Sequence, residues 1–131
     1  MIAVDASTVV DLLVADDERG EWARSTMLAD LTWAAPDFVL AEVFSAVRGL
    51  HRGGHVTTAR AEGAVDALGR LRIELVPTAR LLGAMWRLRD AVGAYDAGYV
   101  AVAIMFDCPL VTADARLARG AARWCQVATG P

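Results

Sequence analysis

The sequence predicts an α/β fold, a parallel sheet of short strands with helices on both faces. Short apolar runs of strand length alternate along the chain with longer segments whose apolar residues recur at helical spacing, which is the pattern of βαβ units. One helical segment, opening at Asp96 and running through Val100, Ala103 and Ile104, is apolar almost all round and has to be covered on most sides, as a central helix is. At 131 residues, 56% hydrophobic and 22% charged, the chain holds material for one packed core, so a single domain over residues 1–131 is expected.

The elements follow in order. Ile2-Ala3-Val4 is a first strand ending in Asp5, and Ser7 is placed to cap a helix carrying Val9, Val10, Leu12 and Leu13. Asp16-Asp17-Glu18 suit the start of a second helix, where the dipole favours negative charge, and Trp22, Met27, Leu28 and Leu31 give it an apolar side. Residues 32–35 read as a second strand stopped by Pro36, after which Asp37 caps a helix bearing Val39, Val43, Ala46, Val47 and Leu50 and ending near Gly53-Gly54. Residues 56–70 carry Ala61, Ala64, Val65 and Leu68 at helical spacing; residues 73–76 are a strand closed by Pro77. The next helix buries Leu81, Leu82, Met85, Leu88 and Val92, and Gly93 terminates it. After the apolar helix come a strand at 109–112, a short helix begun by Asp114, and a last edge strand at 124–127. There is no internal repeat, low-complexity segment or linker.

Composition removes several functions. All 13 basic residues are arginine, and without lysine neither a Walker phosphate loop nor a receiver domain of the two-component type can be assembled. A net charge of -3 argues against general coating of nucleic acid, yet a local arginine cluster still grips phosphates in a bidentate way. The first residues carry no basic leader, and the longest apolar run, residues 97–106, falls short of the roughly 20 a membrane helix needs, so a cytoplasmic, non-membrane protein is predicted. Cys108 and Cys125 then read as buried small hydrophobes rather than a disulfide.

Four carboxylates stand in awkward places. In open parallel sheets the ligand site lies outside the carboxyl ends of the strands; Asp5 sits where the first strand gives way to a helix, and Asp114 at the equivalent place after a later one. Taken singly, each is equally a helix cap or turn former. Glu42 shares the apolar stripe of Val39, Val43, Ala46 and Leu50, so its carboxylate needs a positive partner, either an arginine or a metal. Asp96 poses the same problem at the head of the apolar helix, with an N-cap role as its competitor. Gathered together, four such groups repel one another unless a divalent cation shares their charge, and an all-oxygen set suits Mg²⁺, or alternatively Mn²⁺, better than zinc. The chemistry such a centre implies is hydrolysis of a phosphoryl ester.

Four blocks carry a family resemblance: Ile2-Ala3-Val4-Asp5-Ala6-Ser7, Leu40-Ala41-Glu42-Val43, Tyr95-Asp96-Ala97-Gly98-Tyr99-Val100-Ala101, and Val111-Thr112-Ala113-Asp114-Ala115-Arg116-Leu117. In this order and spacing, from residue 2 to about residue 127, the chain resembles a PIN domain of the VapC type, the toxin half of a bacterial toxin-antitoxin pair. The resemblance implies a PIN-like three-layer sandwich with four or five parallel strands. It implies a catalytic quartet, Asp5, Glu42, Asp96 and Asp114, that binds one or two Mg²⁺ ions, with Ser7 and Thr112 orienting carboxylates or water. It also implies an endoribonuclease that hydrolyses RNA by metal-activated water, a VapB-like antitoxin whose C-terminal segment crosses the active-site groove, and a homodimer. Where some relatives carry a further acid after the last aspartate, this chain has Arg116, Leu117 and Ala118, which bears on the second metal.

Other residues have competing readings. His51 and His55 stand four apart, but Gly53-Gly54 breaks the helix that would align them, so they read as loop histidines in reach of RNA or a partner. Arg116, Arg119 and Arg123 fall at i, i+3, i+7 and offer a face to a phosphate backbone, with a merely solvated face as the alternative. Trp22, Trp33, Trp86 and Trp124 suit core or interface packing better than base stacking. Val10, Leu13 and Trp22 are candidates for a groove that takes an antitoxin helix. Two rival functions are weaker: a haloacid-dehalogenase-like phosphatase wants an aspartate where Ser7 stands, and a catalytically silent PIN-like module is expected to lack one of the acids.

Overall fold

The computed structural model describes all of residues 1–131. Five strands, β1 (Ile2–Val4), β2 (Trp33–Pro36), β3 (Ile73–Val76), β4 (Leu110–Thr112) and β5 (Val127–Thr129), form one sheet in the order β3-β2-β1-β4-β5. Every pairing is parallel, with Ala3 between Ala34 and Leu110 at the centre. Seven helices connect them: α1 (Ala6–Val14), α2 (Glu18–Ala29), α3 (Val39–Arg52), α4 (Thr58–Leu68), α5 (Thr78–Arg87), α6 (Ala94–Phe106) and α7 (Ala115–Ala121). Right-handed crossovers put α1–α4 on one face while the chain steps outward to β3, and α5–α7 on the other while it returns through β4 to β5. This is the predicted α/β sandwich, with five strands.

The core explains the burial pattern. The central strands are buried on both faces, so β1, β2 and β4 carry no exposed residue, and α6 is enclosed from Ala97 through Ala103. Both ends of α6 open to solvent, which leaves Tyr95 64% exposed in the first turn and Ile104 43% exposed, rather than covered, in the last. Backbone contact between α6 and its neighbours depends on Gly98: a Cβ there would stand 2.5 Å from the Phe38 ring and 3.2 Å from Pro36 Cγ. Phe38 cannot easily yield, because Tyr95 and Tyr99 pack edge-on against it at 5.4 and 5.6 Å. Gly98→Ala is therefore expected to lower stability by about 1–3 kcal/mol despite the better helix former. Gly63→Ala, on α4 with open space around it, should instead raise stability by up to about 1 kcal/mol; thermal unfolding of both variants checks the opposite signs.

Several local expectations are corrected. Asp5, not Ser7, is the N-cap of α1, because the chain passes from β1 straight into the helix and Asp5 is its last extended residue. Asp37 caps nothing: the N-cap of α3 is Phe38, which makes no side-chain cap, and the Asp37 carboxylate instead accepts the Thr78 hydroxyl at the head of α5. The buried side of α2 is Gly20, Ala23 and Met27, so Leu28 turns outward and Leu31 falls beyond the helix end. Leu82 and Val65 also face outward from their helices. The last strand starts at Val127 because the Trp124 and Cys125 amides still bond the Ala121 carbonyl. Of the four tryptophans, Trp33 is buried and donates Nε1–H to the carbonyls of Met27 and Asp30, and Trp22 is half-buried. Trp86 and Trp124 are 68% and 46% exposed.

Candidate active site

The sheet reverses its winding between β1 and β4, and a crevice opens at that point outside the carboxyl ends of the strands. Asp5 is the first residue after β1 and is 4% exposed. Its carboxylate accepts four kinds of donor: the Thr8 amide at 3.0 Å, and the hydroxyls of Thr8 at 2.9 Å, Ser7 at 2.8 Å and Thr112 at 2.7 Å. Burial nonetheless raises its pKa, and these donors only partly pull it back.

Thr112, the last residue of β4 and wholly buried, links the two acids of the crevice. It donates to Asp5 and accepts the Asp114 amide at 3.0 Å, while Ser7 accepts the Ala113 amide at 3.1 Å. Thr112→Val keeps the shape and removes both bonds, so a loss of about 1–3 kcal/mol in stability is expected. If the carboxylates hold a reactive centre, the same change should cut turnover about 10–100-fold, measured as initial rate against unfolding midpoint.

Glu42 lies on α3, half-buried, and no arginine meets it. Its partner is the Tyr99 hydroxyl, which donates to Oε1 at 3.1 Å from a position only 2% exposed. Burial raises Glu42, the Tyr99 bond lowers it, and the charges of Asp96 and Asp5 raise it further. The Tyr99 phenol is pushed far above its ordinary value by burial and by Glu42, so it stays a donor at any working pH. Asp96 sits one turn before Tyr99 in the first turn of α6, whose N-cap is Gly93, so it does not cap the helix. Burial raises its carboxyl, Asp114 and Asp5 raise it more, and Arg116 opposes them.

Asp114 is exposed and caps α7, accepting the amides of Arg116 at 2.7 Å and Leu117 at 3.2 Å through Oδ1. Capping thus describes both Asp5 and Asp114, although Asp114 Oδ2 takes part in no hydrogen bond. Arg116 and Arg119 are exposed and form no ion pair; Arg123 is exposed too but lies past the end of α7. An open cleft of about 940 Å³ runs beside the acids, with Glu42, Asp114 and Ser7 on its wall and Val10, Val14 and Leu50 supplying apolar surface. Asp5 lies beneath that wall and Asp96 stands off it, next to Gly93 and Arg116. Leu13 and Trp22 pack on the core instead of lining the cleft. His55 lines it, whereas His51 turns away to Thr58 Oγ1 at 2.9 Å, so the histidine pair does not converge.

Three residues at this site escaped the reading of the sequence. Thr8 and Tyr99 hold Asp5 and Glu42, and their signals were a hydroxyl three residues after an acidic cap and a tyrosine one turn after Asp96. Asp11, 8% exposed, faces the cleft beside Arg19; burial raises its carboxyl and Arg19 draws it back. The four predicted acids feel one another's charge, but no three acidic, histidine or cysteine side chains stand close enough to enclose an ion as placed. The donor set still fits a hard divalent cation: it is all oxygen, burial raises the carboxyls of Asp5, Glu42 and Asp96 with neighbouring acids raising the last two further, and Arg116 is the one cation that opposes this, at Asp96.

Comparison with known proteins identifies the family. A family model described as PIN domain matches residues 2–122. The chain is 33% identical over 131 residues to Ribonuclease VapC9 of Mycobacterium tuberculosis, covering 100% of this chain and 99% of that one. It is 36% identical over 118 residues to Ribonuclease VapC3 of the same organism, covering 90% and 85%. Among solved structures, VapBC2 from Rickettsia felis, bound to a fragment of promoter DNA, superposes with a TM-score of 0.69 at 16% identity, covering 100% of both chains. The sarcin-ricin loop cleaving toxin VapC20 of Mycobacterium tuberculosis gives 0.62 at 23% identity, covering 84% and 87%. With the acids of all four sequence blocks around one crevice and relatives matched along its full length, the chain belongs to the PIN-domain family, within its VapC ribonucleases.

Proposed function

We propose that this protein is a Mg²⁺-dependent endoribonuclease, with Mn²⁺ as an alternative ion, and that it serves as the toxin of a toxin-antitoxin pair in the cytoplasm. One observation carries the reading: four carboxylates from four separate elements feel one another's charge around the crevice at the reversal of the sheet, where a phosphodiester can reach them. Asp5, Glu42, Asp96 and Asp114 would hold the ion. Bound there, it supplies a water nucleophile and neutralises charge developing on the phosphodiester.

The chain's own residues do the rest. Thr112, Ser7 and Thr8 fix Asp5, and Tyr99 fixes Glu42, so two of the four acids are oriented before any ligand arrives. Arg116 and Arg119 are free to bind the phosphate backbone of the RNA beside Asp114. The apolar stretch of the cleft, with Val10, Val14 and Leu50, suits a segment of a VapB-like antitoxin laid across the acids. A homodimer completes the proposed assembly.

The test is RNA cleavage by the purified chain. Cleavage should appear with Mg²⁺, vanish with a chelator and return with excess Mg²⁺, while a generic phosphomonoester is left intact. Undiminished cleavage in chelator would overturn the metal reading, and turnover of the phosphomonoester but not RNA would replace it with a phosphatase.

A further inference from the structure

At the end of the sheet away from the acids, two cysteines precede adjacent strands, Cys108 two residues before β4 and Cys125 two before β5. These strands pair with Leu110 opposite Val127, and the Leu110 amide bonds the Gln126 carbonyl at 2.9 Å; just ahead of that pairing the Cys108 amide closes the end of α6 on the Ala103 carbonyl and the Cys125 amide closes the end of α7 on the Ala121 carbonyl, so the two helix ends bring both cysteines to the same edge of the sheet. The two thiols are near enough for Cys108 to act on Cys125 electrostatically, and closure requires their Cα atoms to come within the span of about 4.4–6.8 Å that a disulfide bridges. Both cysteines line one small cleft of about 290 Å³, with Ile104 and Trp124 at its edge. Both are free thiols; Cys108 is 9% exposed and Cys125 is half-buried, its Sγ 3.9 Å from the Ala121 carbonyl.

We propose that Cys108 and Cys125 are a dithiol modification site that a peroxide closes to an intramolecular disulfide. Cys125, the more accessible, is oxidised first: its sulfur takes one peroxide oxygen to become a sulfenic acid as the O–O bond breaks and water leaves. The Cys108 sulfur then displaces the sulfenic oxygen, the S–S bond forms and a second water leaves, so two thiols and one peroxide give one disulfide and two waters. The product staples edge strand β5 to β4, the strand that ends in Thr112. Burial holds both thiols above the ordinary cysteine value, which keeps thiolate scarce and makes closure slow beside that of a sensor cysteine.

The experiment treats reduced protein with hydrogen peroxide, alkylates what remains free, and maps the peptides by mass spectrometry. The expected result is a monomer lighter by two hydrogens, a linked Cys108–Cys125 peptide, reversal by dithiothreitol, and an unfolding midpoint raised by roughly 5 °C or more. Cys125→Ser should abolish the link. Both thiols still alkylated after peroxide, Cys125 over-oxidised with Cys108 free, or bridges between chains would each overturn the proposal.

Discussion

Asp96→Asn is expected to abolish RNA cleavage, by about 10³-fold, and at the same time to make the protein in chelator slightly more stable. Few substitutions separate the two readouts so cleanly. Asp96 caps no helix and accepts no hydrogen bond from a neighbour, so the amide removes charge without orphaning a donor. Its carboxyl is raised first by burial and then by Asp114 and Asp5. A carboxyl with a folded pKa above its unfolded one costs stability at pH values above the unfolded pKa, fully so above the folded one, and the amide lifts that cost. Because Asp96 is only half-buried, solvent screening limits the gain to about 1–3 °C in the unfolding midpoint. Initial rates on RNA and thermal unfolding in chelator measure both arms; a rate within a few-fold of the parent would remove Asp96 from the reactive centre. Asp5→Ala is a poorer probe, since it strips the α1 cap and leaves the donors of Ser7, Thr8 and Thr112 unmatched, so lost activity would be tangled with lost stability.

What the sequence disclosed and what it hid divide along physical lines. Asp5 and Asp114 were legible because a strand giving way to a helix marks the carboxyl edge of a parallel sheet, and the covering of α6 was legible because Ala97 to Ala103 offers no polar face. Glu42 was expected to meet an arginine or a metal, whereas its hydrogen-bond partner is Tyr99, 57 residues away, a contact that arises only where α3 and α6 meet at the crevice from opposite faces of the sheet. Thr8 was hidden because its place three residues after an acidic cap shows only once Asp5, and not Ser7, is taken as the residue that opens α1. Outward-facing Leu28, Leu82 and Val65 were misplaced because a broad apolar stripe does not say where the core ends and the surface begins.

Mg²⁺ should raise the unfolding midpoint, and by more at pH 8 than at pH 5. Asp5, Glu42 and Asp96 all have raised folded pKa values, so in chelator their shared cost switches on as pH climbs from the ordinary 3.8 and 4.5 through the raised values. Asp17 and Asp30 act oppositely: their carboxyls are lowered, Asp17 by Arg19 and Asp30 chiefly by the Met1 ammonium, and their contribution is lost as pH falls. The absolute pH profile therefore mixes two signs. The difference between Mg²⁺ and chelator cancels the exposed pairs at each pH and isolates the groups that meet the ion. An ion at about one hundred times its Kd adds roughly 2.7 kcal/mol, and protons competing for the same oxygens at pH 5 should erase much of it. Asp96→Asn should flatten the difference at pH 8. Equal shifts at the two pH values, or shifts that survive this substitution, would place the ion away from the crevice between β1 and β4.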